Sequence, residues 1–108
     1  MDSILISIKQ LLGIDAEYTH FDPIIIMHIN SVFMILTQLG VGPSEGFMIE
    51  DEMATWTDFM QDKTTIEAVK SYIYLKVKLL FDPPGSAVIA SMNELIKELE
   101  VRLNIAVE

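Results

Sequence analysis

The segment from Asp22 to Leu39 constrains the fold more than any other part of this 108-residue chain. Asp22 can cap the free amides of a helix start, and Pro23 suits the first helical position because no N–H is needed there. We therefore predict a helix that ends before Gly40. At about 100° per residue, one broad apolar stripe faces a core; it consists of Ile25, Ile26, Ile29, Val32, Phe33, Leu36 and Leu39.

Four further apolar residues of this helix lie off that stripe: Ile24, Met27, Met34 and Ile35. A helix that is apolar on nearly all sides is normally covered on more than one side. Hydrophobic residues make up 51% of the chain and its mean hydropathy is +0.39, more than one small domain can bury. Surplus apolar surface usually lies in an interface. The sequence thus predicts oligomerisation, although filling of the core is an equally good reason for the methionines.

Three other helices can be predicted from start and stop signals. The first runs from about Ser3 to Leu12, with Asp2 as its N-cap and Gly13 as its stop. The third begins with a capping box, Thr64 with Glu67, in which each side chain satisfies the other residue's backbone amide; it continues to about Phe81.

The break Asp82-Pro83-Pro84-Gly85 precedes the fourth predicted helix. This helix runs from Ser86 to about Leu103. The tail Asn104 to Glu108 has strand-like character.

A long connection, Val41 to Lys63, separates the second and third predicted helices. Connections of this length are either functional or disordered, and its large apolar side chains favour order. Phe47-Met48-Ile49 is a candidate short strand, and Trp56 to Met60 is a candidate helical turn capped by Thr55. The predicted fold is all-α: a compact bundle of about four helices with a long ordered arm, forming one domain over residues 1–108.

The net charge of −9 is unevenly distributed. Residues 1–60 carry one lysine, Lys9, against nine acids, and residues 61–108 carry six bases against seven acids. Binding to phosphates requires basic clusters, and the sequence has none. The acidic half is therefore either a solvated surface that keeps the protein soluble or a surface that lies near DNA without binding it.

No pattern of side chains predicts catalysis, a cofactor or a metal. The chain has no cysteine, and its two histidines, His20 and His28, do not have a zinc-binding spacing. Glu50-Asp51-Glu52 cannot all converge on one cation because consecutive residues point in different directions. The longest apolar run, Ile24 to Leu36, contains polar residues and falls short of the roughly 20 residues of a membrane span. The N-terminus has no signal-peptide pattern.

Three stretches of the sequence form a recognisable pattern: His28-Ile29-Asn30-Ser31-Val32-Phe33, Gln38-Leu39-Gly40-Val41-Gly42-Pro43 and Tyr72 to Pro84. Together they resemble the head–tail connector proteins of long-tailed phages, also called adaptor or head-completion proteins. The resemblance is strongest to connectors of siphophages and of prophages of Gram-positive bacteria, and it extends over essentially the whole chain.

The resemblance implies an all-helical structural protein that is not an enzyme. Such proteins form rings beneath the portal, extend the DNA channel and dock the next neck or tail protein. DNA passes through them without specific binding, and no membrane is involved. The expected location is the virion neck, after assembly in the host cytoplasm.

On this hypothesis, apolar residues of the second helix and the arm form the subunit interface: Ile24, Met27, Met34, Ile35, Phe47, Ile49 and Trp56. Glu50, Asp51 and Glu52 are expected to line the DNA channel.

Two other functions compete with this interpretation. An acidic DNA mimic or regulator-binding phage protein is disfavoured because mimics display acids in spaced pairs along an exposed face, whereas these acids cluster in loops and helix ends. A generic helical interaction module without a phage role is the third possibility.

Overall fold

A computed structural model describes residues 3–106 and contains five α-helices in that part of the chain. They are α1 (Ile4–Leu12), α2 (Asp22–Gln38), α3 (Trp56–Phe59), α4 (Lys63–Phe81) and α5 (Ser86–Ala106). The only β-type pairing within residues 3–106 is an isolated bridge between Ser3 and Thr55. The all-α fold predicted from the sequence is therefore confirmed.

Helix α4 lies at the centre, in contact with α1, α2 and α5. It is buried on more than one side: Val69, Ile73 and Val77 form one fully buried row, and Tyr72 and Leu75, which are also buried, lie on another side of the helix. Helix α5 packs its inner face, with Met92, Ile96 and Leu103, against this centre. The molecule measures 39 × 35 × 20 Å, so it is a thin slab in which α2 and α5 both bury their inner faces on α4.

The helix starts differ in detail from those predicted. Ser3 caps α1 by accepting a hydrogen bond from the Ile6 amide (3.2 Å), while the predicted cap, Asp2, lies outside the described residues. Asp22 is the first residue of α2 and not its cap, because its carboxylate pairs with Lys9 instead (2.8 Å).

The predicted capping box at the start of α4 is wrong. Asp62 caps this helix by accepting hydrogen bonds from the Thr64 amide (3.2 Å) and the Thr65 hydroxyl (2.7 Å), so Thr64 already lies inside it. The Thr65 hydroxyl also lowers the pKa of Asp62, because it stabilises the charged carboxylate. A capping box does occur, one helix earlier, between Thr55 and Asp58.

The predicted strand-like tail is also wrong over Asn104 to Ala106, where α5 continues. Asn104 donates a side-chain hydrogen bond to the Leu39 carbonyl (3.2 Å), which ties the end of α5 to the end of α2. The last two residues, Val107 and Glu108, lie outside the described part.

Candidate assembly surface

The connection between α2 and α4, residues 41–62, is called the arm. The arm is ordered because the side chain of Asn30, on α2, forms hydrogen bonds with the backbone in the middle of the arm. The Asn30 amide group donates to the Ile49 carbonyl (2.9 Å), and its oxygen accepts from the Ile49 amide (2.8 Å). The predicted strand at Phe47-Met48-Ile49 does not form, and the arm's backbone pairs here with an amide side chain.

Three phenylalanines fix the rest of the arm on α2. The ring of Phe33 lies 5.1 Å from that of Phe47 and 4.9 Å from that of Phe59, measured between centroids. The arm reaches this cluster through Gly42, whose φ of +87° suits a residue without a Cβ. This part of the arm is therefore packed against α2.

Helix α3 lies within the arm and attaches it to α1 through two hydrogen bonds. The Trp56 indole N–H donates to the Ser7 hydroxyl (3.1 Å), and the Ile4 amide donates to the Ala54 carbonyl (3.0 Å). The helical turn capped by Thr55, predicted from the sequence, is confirmed as Trp56–Phe59.

Two of the seven expected interface residues lie in the core of their own subunit. Ile49 is 2% exposed and Trp56 is 1% exposed, so neither side chain is accessible to a neighbour. Their partners come from distant parts of the chain, and the sequence has no period in the arm that would reveal them. The candidate interface is therefore reduced to the other five residues.

The outer face of α2 is open. Ile24 is 43% exposed, Met27 55% and Met34 65%, and their spacing of three and seven residues places them on one side of the helix. Ile35 and Phe47 are partly buried beside this face. Three of the four apolar residues that lie off the core stripe of α2, namely Ile24, Met27 and Met34, are thus not covered by the subunit itself.

Between the end of α2 and the arm lies a groove of about 590 Å³. Met34 and Gln38 line it from α2, and Glu45, Phe47 and Met48 line it from the arm. Met48 is 72% exposed. We call Met27, Met34, Met48 and this groove the α2–arm surface. Flexible thioethers make such a surface adaptable to the shape of a partner.

The three expected channel residues, Glu50, Asp51 and Glu52, are exposed at a bend of the arm. The Asp51 carboxylate accepts a hydrogen bond from the Met53 amide (2.8 Å), which holds the bend. Met53 itself is 75% exposed beside them. The bend therefore presents three neighbouring carboxylates to the surroundings.

Sequence reasoning missed the role of Lys9. It is 1% exposed, donates to the carbonyls of Ala16 (3.0 Å) and Tyr18 (2.7 Å), and forms an ion pair with Asp22 (2.8 Å). Lys9 lies four residues after Leu5, on the apolar face of α1, and this position in the sequence could have predicted that it is buried. Since Lys9 is the one lysine or arginine of residues 1–60, the described surface of that half offers no lysine or arginine side chain to solvent.

A second buried polar contact joins α4 to α5. The Tyr72 hydroxyl donates to the Glu100 carboxylate (2.7 Å), and Tyr72 is fully buried. Burial raises the pKa of Tyr72, and the hydrogen bond and negative charge of Glu100 raise it further. This contact joins α4 to α5.

No cluster of three or more His, Asp or Glu side chains within residues 3–106 is placed to hold a metal ion. His20 lies against the ring of Phe21, with 5.0 Å between centroids. Over the same residues, no helix has the length and apolar character needed to cross a bilayer.

A small all-helical domain with an ordered arm and an open apolar groove is typical of structural proteins that contact other proteins. The sequence matches the family model described as phage connector protein over residues 4–108, so the chain belongs to the phage connector family. No curated protein and no solved structure matches it. Membership implies a structural role in the neck of a phage virion, in contact with other neck or portal proteins.

Proposed function

We propose that this chain is one subunit of a ring in the phage neck, between the portal and the tail. The ring extends the DNA channel and docks the next neck or tail protein. The family match over residues 4–108 carries this proposal. The protein acts as a structural part of the virion, without catalysis or a cofactor, and is incorporated into the neck from the host cytoplasm.

The open apolar side chains of α2 support the formation of a ring. Met27 and Met34 are more than half exposed in the single subunit, which is costly unless a partner covers them. In a ring, each copy contacts its neighbour through two different surfaces and the contacts close by rotation. Ile24 and Ile35 extend the same face and are proposed to take part, with Phe47 from the arm.

The distribution of charge supports the passage of DNA. DNA adheres to a protein when lysines and arginines replace its counterions. The first sixty residues carry nine acids, and their single lysine is buried. We propose that Glu50, Asp51 and Glu52 face the channel, where their charges repel the phosphates and keep the DNA mobile.

Electron microscopy of the protein mixed with its cognate portal tests the ring. We expect a ring of connector subunits on the portal, and we expect Met34→Asp to prevent it because a charge would enter an apolar contact. Leu11→Asp is the matched control, since Leu11 is also exposed (48%) but lies on α1.

Absence of any complex with the portal would refute the proposed function. A monomer or dimer that instead blocks a DNA-binding protein would support a DNA mimic. A monomer in the absence of the portal is compatible with the proposal if the ring then forms on the portal.

Reversal of the channel charges tests the role of the arm's bend. In virions that carry Glu50→Lys, Asp51→Lys and Glu52→Lys, we expect slower DNA ejection because the new lysines bind phosphates. Reversal of the exposed acids Asp15 and Glu17, in the loop before α2, is the control. Ejection at the normal rate from virions with the reversed bend would refute the placement in the channel.

A further inference from the structure

The middle of the arm, residues 47–50, is an extended segment. No helix, turn or bend lies within it. Its exposure alternates, because Ile49 is buried whereas Met48 and Glu50 on either side are exposed, and a period of two is that of an extended chain. Both backbone groups of Ile49 reach the one side-chain amide of Asn30, so they point in the same direction, as they do in a strand.

Only one edge of this segment is paired. The Asn30 side chain takes the place of a neighbouring strand on the edge that faces α2. In an extended chain, the N–H and C=O groups of successive residues point to opposite edges, so those of Met48 and Glu50 are turned away from α2. These four groups form no hydrogen bond with any of residues 3–106. We call them the arm edge.

An open edge of this kind is a template for a further strand. Extended peptides bind such edges through main-chain hydrogen bonds. A helix cannot do so, because its own N–H and C=O groups are bonded within the helix. The arm edge is accessible, since Met48 is 72% exposed, and it is held in shape from the other side by Asn30 and by the packing of Phe47 on Phe33. A partner strand would therefore meet an edge that is already ordered.

Charge selects the side chains of the partner. Glu50 begins a run of three carboxylates, and the described part of residues 1–60 exposes no lysine or arginine to neutralise them. Two arm edges from two copies of the chain would bring these carboxylates together, which disfavours self-pairing. Opposite charges attract across neighbouring strands. A fitting segment therefore has a lysine or arginine opposite Glu50 and an apolar residue opposite Met48, two positions apart.

We infer that the arm edge binds an extended segment of another protein of the phage neck as an added β-strand. The segment carries an apolar and a basic residue two positions apart. This inference rests on the proposed function only for the source of the segment. Asp51 and Glu52 lie at the bend, beyond the paired residues, so the added strand leaves their carboxylates open.

Hydrogen exchange of the full chain, followed residue by residue by NMR, tests the added strand. The probe is a blocked peptide, Thr-Val-Thr-Lys-Thr, which has the required spacing of side chains. We expect it to slow exchange of the Met48 and Glu50 amides by about tenfold or more, because an amide paired in a ladder exchanges only when the ladder opens. The Ile49 amide should be protected with or without the peptide, since it is bonded to Asn30.

Control peptides separate backbone pairing from attraction by charge alone. Thr-Val-Thr-Glu-Thr keeps the backbone and reverses the charge, and it should give no protection. Two further forms of the lysine peptide are methylated on nitrogen, one at Val and Lys and the other at the three Thr residues. Only one edge of the peptide can face the arm, so one form should protect the amides and the other should not. Equal effects of the two forms would overturn the inference.

A substitution in the protein tests the same edge. Met48→Pro removes one donor of the arm edge and keeps a φ that an extended chain allows. Met48→Ala removes the same side chain and keeps the donor. We expect the lysine peptide to protect the Glu50 amide in Met48→Ala and not in Met48→Pro, and equal protection in both would overturn the inference. If the urea midpoint shows that Met48→Pro does not fold, the methylated peptides decide.

The outcomes separate this inference from the proposed function. Portal complexes that are visible by microscopy, together with no protection by the lysine peptide, would overturn the added strand and leave the function intact. Protection by the peptide in a protein that never binds the portal would overturn the proposed function and leave the strand addition. Protection of both amides in the concentrated chain alone would show that a second copy covers the arm edge, and would overturn the inference.

Discussion

Gly13 and Gly42 have nearly the same backbone conformation in very different surroundings. Their φ angles are +81° and +87°. An alanine in this left-handed region is strained by about 1–2 kcal/mol, because its Cβ approaches the following carbonyl oxygen. Alanine at either position should therefore destabilise the fold by at least this amount.

The two positions differ in what an added Cβ would contact. At Gly13 there is no atom within 4 Å. At Gly42 the Cβ would collide with the Phe59 ring, at 2.6 Å from Cζ and closer still to Cε1. That ring is 4% exposed and packs on Phe33 and Phe47, so it cannot move away freely. Overpacking of this kind costs about 1–3 kcal/mol.

We therefore expect Gly13→Ala to reduce the free energy of unfolding by about 1–2 kcal/mol and Gly42→Ala to reduce it by about 2–5 kcal/mol. Urea unfolding followed by circular dichroism measures both, provided that the slope with denaturant is unchanged. Gly85→Ala is a further control with no atom within 4 Å and no positive φ, and should have little effect. Equal losses for Gly13→Ala and Gly42→Ala would refute the tight packing of the arm against Phe59.

Three further changes test the buried polar contacts. Lys9→Met should lower the free energy of unfolding by about 1–3 kcal/mol, because the partly buried Asp22 carboxylate and the Ala16 and Tyr18 carbonyls lose their partner; an unchanged urea midpoint would contradict this. Asn30→Ala should cost about 2–4 kcal/mol, since both backbone groups of Ile49 lose their partner, and hydrogen exchange should show a deprotected Ile49 amide; continued protection would contradict it. The pKa of Tyr72 is raised above the ordinary value of 10.0, so the unfolded chain loses this proton first and stability falls as the pH rises above that value. Thermal unfolding at alkaline pH should be less pH-dependent in Tyr72→Phe than in the native protein, whereas Tyr18→Phe, at an exposed tyrosine, should behave like the native protein.

The longer helices could be predicted because their signals are local. Pro23 marks the start of α2, and Gly13 follows the end of α1. The start of α4 was harder to place, since Asp62, Thr64 and Thr65 can all cap a helix and lie within four residues of each other. Which of them accepts hydrogen bonds from the free backbone amides depends on the folded backbone. The capping box was therefore assigned to the wrong residues.

The candidate surface was predictable where it lies on a helix. The period of α2 separates the core stripe from Met27 and Met34, and both are exposed. The arm has no period, so nothing local distinguishes the buried Ile49 from the exposed Met48. The burial of Ile49 depends on Asn30, which lies 19 residues earlier and binds the Ile49 backbone. The burial of Trp56 depends on α1, where its indole N–H donates to the Ser7 hydroxyl, 49 residues earlier in the chain. Contacts of this range are set by tertiary packing.

The single tryptophan of the chain lies where the arm joins α1, and it is almost completely buried. Its fluorescence therefore reports the attachment of the arm, while circular dichroism reports the helices. A red shift of the emission at constant helicity would reveal a subunit whose arm has come loose. Attachment of the arm can thus be followed optically, without a label, while subunits add to a portal.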